Sequence, residues 1–390
     1  MESFAIVLVC FNRIEGLKRL LKSLENADYD NRKDVTLIFS IDNSSTDIVE
    51  KYAKNYQWEY GDKIIRTFET RQGLKKHILQ CGDYTKEYDV VVVLEDDISV
   101  SSSFYRYATQ AAKFYENDDN IAGISLYNFQ KNWLNWNLRF EPMKEHYDTY
   151  FMKIAQSWGQ VWTEKKWVKF KEWYLKNKEF EKSDILPQYL NNWPETSWLK
   201  YHDKYCIETN RFFVYPYFAL STNNSDVGEH ANISCNDYQV DIQCDKKEFL
   251  FPVFNENAVK YDEYMNRIGL AKYLGLEEGQ LTVDLYGTVR KRLWKEYVLT
   301  ACKYDGVNCE KTFSLSLRPI ELSIMCGRIG EGIYLYKAND IKKKNKSSNY
   351  ELLKYSFRTS DWKTMLKFSV QLTFKEIKSK CKVKLKKLKR

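Results

Sequence analysis

Short apolar runs alternate with stretches of helical periodicity through the first 125 residues. The runs at Phe4–Cys10, Val35–Ile41 and 90–94 are nearly continuous and rich in β-branched residues, which is typical of strands buried on both faces. After the first run, apolar residues recur at helical spacing at Ile14, Leu17, Leu20, Leu21 and Leu24. This alternation predicts an α/β fold with a mostly parallel central sheet.

The same pattern predicts further elements of both kinds. In the first 126 residues they are strands over 63–68 and 121–126, a helix of about ten residues after Asp47, and helices over 71–80 and 101–116. Beyond residue 235, strand-like stretches at 281–287, 317–321 and 332–336 indicate a smaller C-terminal α+β region, followed by a polar segment from residue 341.

Polar side chains follow three of the predicted strands at the point where each strand ends. Asn12 and Arg13 follow the first strand, Asp42 follows the second, and the carboxylates 95–97 follow the run at 90–94. Right-handed crossovers place the carboxyl ends of parallel strands along one edge of the sheet. We therefore expect these side chains to converge in a crevice at that edge.

The triplet Glu95-Asp96-Asp97 predicts a cation site. Adjacent carboxylates raise each other's pKa unless a cation or hydrogen-bond donors share the site, and Mg²⁺ or Mn²⁺ prefers oxygen ligands. The alternative is a strand that simply runs out into solvent. Neither a Gly-x-Gly-x-x-Gly loop nor a Gly-x-x-x-x-Gly-Lys-Ser/Thr loop is present, so a classical dinucleotide site and a P-loop are not supported.

Composition adds an aromatic bias and bounds the domain organisation. The 390 residues exceed one average domain, which predicts a large domain with an appendage. Eight of the 11 Trp residues lie between Trp133 and Trp198. Aromatic faces suit sugar rings, but they also suit ordinary cores.

The net charge of +8 is concentrated at the C-terminus. Residues 375–390 contain nine Lys or Arg and one Glu, which equals the whole net charge and leaves the rest of the chain neutral. A helix here would set an apolar stripe against a lysine-rich face, the stripe being Phe374, Ile377, Cys381, Leu385 and Leu388. We expect the tail to bind an anionic membrane surface, with a solvated basic tail as the alternative and no nucleic acid as partner.

Localisation is predicted from apolar length and cysteine usage. No stretch reaches the roughly 18 to 20 consecutive apolar residues of a membrane span, and the apolar start is too short for a signal peptide. The nine cysteines include no Cys-x-x-Cys pair, which favours reduced thiols. The expected location is cytoplasmic, peripheral at the inner face of the membrane.

Three motifs together carry a resemblance to a known family. Cys10-Phe-Asn-Arg13, Asp42-Asn-Ser-Ser-Thr-Asp47 and Leu94-Glu-Asp-Asp97 resemble the nucleotide-sugar-binding half of GT-A glycosyltransferases. They are similar both to the family 2-like enzymes of bacterial polysaccharide synthesis and to N-acetylglucosaminyltransferase I. The resemblance continues through 156–162 and 193–198 and covers roughly residues 4–232.

The resemblance implies a metal-dependent, inverting glycosyltransferase of GT-A fold that uses a nucleotide-sugar donor, a UDP-sugar being expected. The expected acceptor is a glycan or glycolipid of a surface polysaccharide such as a capsule. A catalytic domain would span 1–235, with a nucleotide-sugar half at 1–126 and an acceptor half at 127–235. A C-terminal α+β region at 236–340 and a linker with the basic tail at 341–390 would follow.

The resemblance also implies roles for donor-side residues. Arg13, with Asn12 beside it, would contact the diphosphate or uridine. Asp42 would contact the uracil or ribose, and Arg71 or His77 another part of the nucleotide.

The metal is expected to be Mn²⁺ or Mg²⁺. Asp97 would bind it, and Asp96 would reach ribose or a metal-bound water. His230 resembles a downstream His that supplies a further metal or phosphate contact.

The catalytic base is the point at which this chain departs from the family pattern. An inverting transfer needs a carboxylate within hydrogen-bond reach of the acceptor hydroxyl. The related enzymes carry an acid after the Trp that matches Trp198, whereas Leu199 and Lys200 follow here. Glu195 is the first candidate substitute and Asp203 the second, and an inactive or differently based enzyme stays open.

The acceptor site is expected at Trp158, Gly159 and Trp198, with core packing as the alternative role of the indoles. Two other functions stay open for the whole chain. One is a sugar nucleotidyltransferase, which would normally carry a Gly-rich basic loop after the first strand. The other is a non-catalytic carbohydrate-binding protein on the same fold.

Overall fold

The computed structural model describes residues 2–135, 138–226, 238–357 and 361–388, with side chains up to residue 378 except Glu376. The chain forms two compact units, Met1–Gly279 with Thr288–Leu293, and Gln280–Gly287 with Trp294–Arg390. The first unit runs past residue 235, where we expect the catalytic domain to end. The division at 235 and 340 stays a prediction.

The first unit is built on a large mixed sheet. In the described part of the chain its strands are β1 (Phe4–Cys10), β2 (Val35–Ile41), β3 (Lys63–Thr67), β4 (Val90–Glu95), β5 (Ile98–Val100), β6 (Ile121–Ser125), β7 (Thr149–Met152), β8 (Gln160–Trp162), β9 (Phe212–Pro216), β10 (Ser221–Asn223) and β11 (Lys260–Tyr261). Nine of them form one sheet in the order β11-β7-β9-β6-β8-β4-β1-β2-β3.

The helices of the first unit connect these strands. They are α1 (Ile14–Glu25), α2 (Ile48–Asn55), α3 (Leu74–Cys81), α4 (Phe104–Phe114), α5 (Glu164–Lys176), α6 (Gln188–Asn192), α7 (Leu199–Glu208) and α8 (Ala271–Leu274). Short 3₁₀ helices lie at Gly82–Lys86 and Lys291–Leu293.

Strand direction in the large sheet matches the expected α/β fold. The neighbours β3, β2, β1 and β4 pair in parallel, and β6 pairs in parallel with β9. The antiparallel strand β8 lies between β4 and β6. The prediction of a mostly parallel central sheet is confirmed, and the carboxyl ends of β1, β2 and β4 share one edge.

Apolar burial explains why these segments form these elements. All seven residues of β1 and of β2 are buried, as continuous apolar runs between two helical layers require. The helix α1 turns Leu17, Leu20, Leu21 and Leu24 into the core. Burying one such leucine contributes roughly 1.5–3 kcal/mol before the entropic cost of ordering the helix, so this stripe is a substantial part of what holds α1 on the sheet.

A two-stranded ribbon leaves the large sheet directly after the carboxylate triplet. Ile98 pairs with Asn223 and Val100 with Ser221, so that β5 and β10 run antiparallel. The pairing was not expected from the sequence. It brings a segment more than 120 residues downstream against the triplet.

The second unit carries its own sheet. Its described strands are β12 (Leu281–Asp284), β13 (Tyr297–Thr300), β14 (Lys303–Tyr304), β15 (Lys311–Ser314), β16 (Gly332–Lys337) and β17 (Ser347–Ser348), and its helices are α9 (Glu321–Met325), α10 (Tyr350–Phe357) and α11 (Trp362–Leu388). A 3₁₀ helix spans Ala338–Asp340. Four of the strands form a sheet in the order β12-β13-β16-β15, and β14 pairs with β17.

Two predicted segments of this unit differ from the structure. Residues 317–321 lie outside the strands because Pro319 has no N–H to give to a sheet, and α9 begins two residues later at Glu321. The terminal helix α11 begins at Trp362, well before the basic tail. Among the described residues, no helix has the length and apolar character needed to cross a membrane.

Candidate active site

Arg13 joins the ends of β1 and β4. Its guanidinium forms an ion pair with Asp96 and donates a hydrogen bond from Nη1 to Asp97 Oδ2 at 3.1 Å. The Asp96 side chain is only 3% exposed. The predicted convergence of Arg13 with the triplet is therefore present in the folded chain, because parallel neighbours end at the same edge.

Burial and neighbouring negative charge disfavour the ionised forms of Glu95 and Asp96. Burial raises the pKa of Asp96 to about 6, while the Arg13 guanidinium acts in the opposite direction. Burial also raises the pKa of Glu95, and the charge of Asp97 raises it further. One guanidinium does not neutralise three carboxylates, so a divalent cation would stabilise their ionised forms.

Asp97 offers one oxygen that fits such a cation. Within the described residues, Asp97 Oδ1 is buried and has no hydrogen-bond partner. A buried carboxylate oxygen without a partner is costly unless a donor or a cation occupies the site. No group of three or more His, Cys, Asp or Glu side chains in the described ranges is arranged to hold a metal, and His230 lies outside them. Mg²⁺ sites often take only one or two protein carboxylates, with ligand and water oxygens completing the coordination.

The β5–β10 ribbon holds the backbone of Asp97. Asn224 donates its backbone N–H and its Nδ2 to Asp97 O, at 2.8 and 2.9 Å, and Nδ2 also lies 2.9 Å from Ser99 Oγ. On the other side, α1 approaches so closely that a Cβ at Gly16 would lie 2.6 Å from Asp96 O. Sequence reasoning missed both contacts, because neither Asn224 nor Gly16 belongs to a local motif.

Asp42 organises the loop that precedes α3. Its Oδ1 accepts the backbone N–H of Asn43 at 2.8 Å and of Gln72 at 2.7 Å, and its Oδ2 accepts the N–H of Gly73 at 2.9 Å. The helix α3 begins at Leu74 and not at residue 71, where the predicted helix begins, because Gly73 has a φ of +73°, outside the helical region. Asp42 lies at the predicted edge, but its oxygens already serve the loop.

The other predicted nucleotide contacts lie in different environments. The Arg71 guanidinium lies 4.9 Å from the ring centre of Phe11, which directly precedes the exposed Asn12. His77 is 2% exposed and its Nε2 lies 2.7 Å from Ser40 Oγ. Burial lowers the pKa of His77 to about 4, so the ring is neutral at pH 7 and contacts β2 through Ser40.

A polar cavity of about 650 Å³ opens beside Asp42 at the ends of β2 and β3. Its lining includes Asn43, Ser44, Thr46 and Phe68. The volume lies within the roughly 300–1,000 Å³ range of small-molecule sites. The cavity has room and hydrogen-bonding groups for a small polar ligand.

Trp158 lies on a loop that several hydrogen bonds fix. Gln156 Oε1 accepts the N–H of Trp158 at 3.2 Å, and Ser221 Oγ donates to Trp158 O at 2.6 Å. Gly159 follows with a φ of +96°, and a Cβ there would lie 3.1 Å from Leu126, so glycine is needed for this turn. Because Ser221 belongs to β10, the loop is tied to the ribbon beside the triplet.

Trp198 occupies a different setting from Trp158. It is 4% exposed and meets Trp162 edge to face, with ring centres 6.0 Å apart. The structure thus places Trp198 in the core, and the core-packing interpretation describes this indole.

The two candidate bases differ sharply in access. Asp203 is 1% exposed, and its oxygens accept the Ala155 N–H at 2.6 Å and the Tyr189 hydroxyl at 3.1 Å. Burial raises its pKa to about 8. Glu195 is exposed, and its carbonyl accepts Lys75 Nζ at 2.8 Å, which ties its backbone to α3. Asp203 therefore links the backbone of Ala155 to Tyr189 in the core, whereas Glu195 is open to solvent.

Residues 5–166 match the family model described as glycosyl transferase family 2. The matched range runs from β1 into the first turn of α5 and so includes Arg13, Asp42 and the triplet. None of the curated proteins compared with the chain matches it.

Three solved structures are similar to this chain at low identity. TarS 1-349 of S. aureus in complex with UDP-GlcNAc is 17% identical, over 58% of this chain and 60% of that one, with a TM-score of 0.38. GalNAc-T7 with UDP, GalNAc and Mn²⁺ is 11% identical over 55% and 43%, with a TM-score of 0.38. The mannosyltransferase PcManGT of Pyrobaculum calidifontis with GDP-Man and Mn²⁺ is 10% identical over 42% and 45%, at 0.30. In each case this chain spans less than two thirds of the other protein.

Proposed function

We propose that this chain, whose residues 5–166 match the glycosyl transferase family 2 model, is a glycosyltransferase of GT-A fold that moves a sugar from a nucleoside diphosphate donor, a UDP-sugar, to a glycan. The observation that carries the proposal is the cluster of Arg13, Asp96 and Asp97 at the shared edge of β1 and β4. A cation and a guanidinium beside one carboxylate pair suit a diphosphate, because its oxygens coordinate the cation and accept hydrogen bonds from the guanidinium.

The donor would lie along this edge. Arg13 and a divalent ion on Asp97 Oδ1 would hold the diphosphate, and the nucleoside would extend toward Asp42 and the adjoining cavity. The ion supplies charge neutralisation for the departing nucleoside diphosphate. Asp42 fixes residues 72 and 73, and His77 contacts Ser40 of β2. Both would therefore hold the wall of the nucleoside site in place without contacting the nucleoside.

Glu195 is the proposed base for an inverting transfer. Its carboxylate would take the proton of the acceptor hydroxyl as that oxygen forms a bond to the anomeric carbon. The bond from the anomeric carbon to the diphosphate oxygen breaks, and the electron pair leaves with the diphosphate. The exposed position of Glu195 and its backbone link to α3 support this assignment over Asp203.

The acceptor is proposed to be a lipid-linked surface polysaccharide. Support comes from α11, which exposes large apolar side chains along its described length, namely Trp362, Leu366, Phe368, Val370, Leu372, Phe374 and Ile377. The lysine-rich end of the tail follows the same helix, and the remaining stripe residues lie beyond the described side chains. Apolar and basic groups on one helix favour an anionic membrane surface.

Turnover assays with Mn²⁺ test the proposal. Release of UDP from a panel of UDP-sugars should fall at least 100-fold in Asp97→Ala and in Glu195→Gln, while UDP binding persists in Glu195→Gln. Glu87→Gln, an exposed acid before β4 at the opposite edge, is the matched control and should leave turnover unchanged. Equal turnover in the wild type and Glu195→Gln would remove Glu195 as the base. Failure of every UDP-sugar to turn over would overturn the proposed activity.

A further inference from the structure

Three half-buried tryptophans from separate segments meet in the first unit. Trp133 lies in the loop after β6, Trp158 precedes β8, and Trp193 directly follows α6. The ring centres of Trp133 and Trp158 are 5.8 Å apart, and those of Trp133 and Trp193 are 6.0 Å apart. The three indoles therefore form a continuous row, which we call the indole row, with Trp133 in the middle.

The indoles of the row meet edge to face. The interplanar angles are 72° between Trp133 and Trp158 and 85° between Trp133 and Trp193. Neither pair is stacked face to face, and each indole keeps partial contact with solvent. Trp158 also packs against the core and against the rings of Tyr127 and Tyr238. It nevertheless stays half-buried, whereas the core buries Trp162 and Trp167 completely.

Two indole N–H groups of the row are also available, those of Trp158 and Trp193. Within the part of the chain that the structure describes, neither Trp158 nor Trp193 gives its indole N–H to an acceptor. A lipid chain covering these rings would leave both donors unsatisfied, which costs free energy. A pyranose suits the surface better, because its C–H face packs on an indole and its hydroxyls accept from the N–H.

The two ends of the row are linked to the carboxylate triplet and to the proposed base, Glu195. Trp158 O accepts from Ser221 of β10, the strand that pairs with β5 next to the triplet. Trp193 stands two residues before Glu195, whose carbonyl binds Lys75 of α3. A saccharide on the row would thus lie between the donor edge and the proposed base.

We propose that the indole row binds the acceptor, and that the acceptor is an oligosaccharide with successive sugar rings on Trp133, Trp158 and Trp193. The inference rests on the proposed function and deepens it, since it names the residues that bind the acceptor glycan and the number of sugar rings that they hold. A monosaccharide or a simple alcohol covers one indole at most. Affinity therefore increases with the number of sugar residues until the row is filled.

Calorimetric titration with saccharides of increasing length tests this assignment. The probes are β-1,4-linked glucose, β-1,4-linked N-acetylglucosamine and α-1,4-linked glucose, each from one to four residues, with UDP and Mn²⁺ present. In at least one series, Kd should fall tenfold or more between one and three residues. Trp133→Ala and Trp193→Ala should each raise the Kd of the trisaccharide at least fivefold, and Trp193→Phe should retain most of the affinity.

Trp173→Ala on α5 is the matched control, because this indole is half-buried but lies outside the row. It should bind as the wild type does, and binding of UDP with Mn²⁺ to every variant serves as the folding check. Absence of saccharide binding in all three series, while UDP binding still depends on Asp97, would overturn the indole row and leave the proposed function standing. Length-dependent saccharide binding without any UDP binding would support the row as a saccharide surface and overturn the transferase.

Discussion

Asn224 belongs to none of the sequence motifs, yet it holds the backbone of Asp97. Its side chain and backbone N–H converge on the carbonyl of Asp97, the residue with the unpartnered carboxylate oxygen. Partners of a metal ligand commonly affect affinity or activity by about 10–100-fold when removed. Asn224 is a positioning residue, because it contacts Asp97 and not the proposed ligands.

Asn224→Ala should reduce the affinity for Mn²⁺ in the presence of UDP roughly tenfold. The reason is that the side-chain bonds to Asp97 O and Ser99 Oγ are lost while the backbone bond remains. Calorimetry at varied Mn²⁺ concentration measures the effect. Asn120→Ala, at an exposed position, is the control. An unchanged Mn²⁺ dependence in Asn224→Ala would show that the ribbon does not position Asp97.

Asp203 carries a prediction about pH. Its pKa in the folded chain is raised to about 8, above the value of about 3.9 for an unperturbed Asp. The folded state therefore binds more protons than the unfolded state between these values, so this group's contribution to stability is present below about pH 4 and is lost as pH rises toward 8.

Asp203→Asn should remove this loss, because the amide does not ionise. The free energy of unfolding of the variant should gain on that of the wild type between pH 5 and pH 8, by up to ~1.4 kcal/mol per pH unit. Urea denaturation at several pH values measures it, and Asp119→Asn at the surface is the control. Parallel pH profiles for the wild type and Asp203→Asn would contradict the buried, protonated carboxyl.

At the scale of elements, local pattern predicts the strands well. β1 and β2 begin and end at the predicted residues, because their apolar runs have sharp polar boundaries. The start of α3 is shifted, because the backbone of Gly73 has a φ of +73° and so cannot belong to the helix. The β5–β10 ribbon could not be predicted, because its partners lie far apart in sequence and neither strand exceeds three residues.

The terminal helix α11 carries its own prediction. Deletion of 375–390 removes the nine basic residues, each of which contributes about 1 kcal/mol near an anionic surface. The shortened chain should lose most of its binding to vesicles with anionic lipid, and the binding of the full chain should weaken as salt increases. Co-sedimentation with anionic and with neutral vesicles measures both effects. Equal binding of the full and shortened chains would show that the tail is not the anchor.

At the scale of the whole molecule, the sheet edge proposed to bind the donor was predictable and the proposed acceptor side was not. Arg13, Asp42 and the triplet each follow an apolar strand, so the rule that parallel strands end at one edge is enough to bring them together. On the proposed acceptor side, Trp158 was expected. Trp133 and Trp193 were not, because they lie in loops and the apolar pattern of a sequence does not predict the path of a loop. The same lack of a local signal left Asp203 as a candidate base, although the fold buries it.

The central claim is that Asp97 and Arg13 bind a nucleoside diphosphate together with a divalent cation. Calorimetric titration of UDP, with and without Mn²⁺, into the wild type, Asp97→Asn and the Glu87→Gln control tests it most directly. We predict that Mn²⁺ tightens UDP binding at least tenfold in the wild type and in Glu87→Gln, and that Asp97→Asn abolishes this gain. UDP binding that is the same with and without Mn²⁺, and the same in Asp97→Asn, would contradict the account.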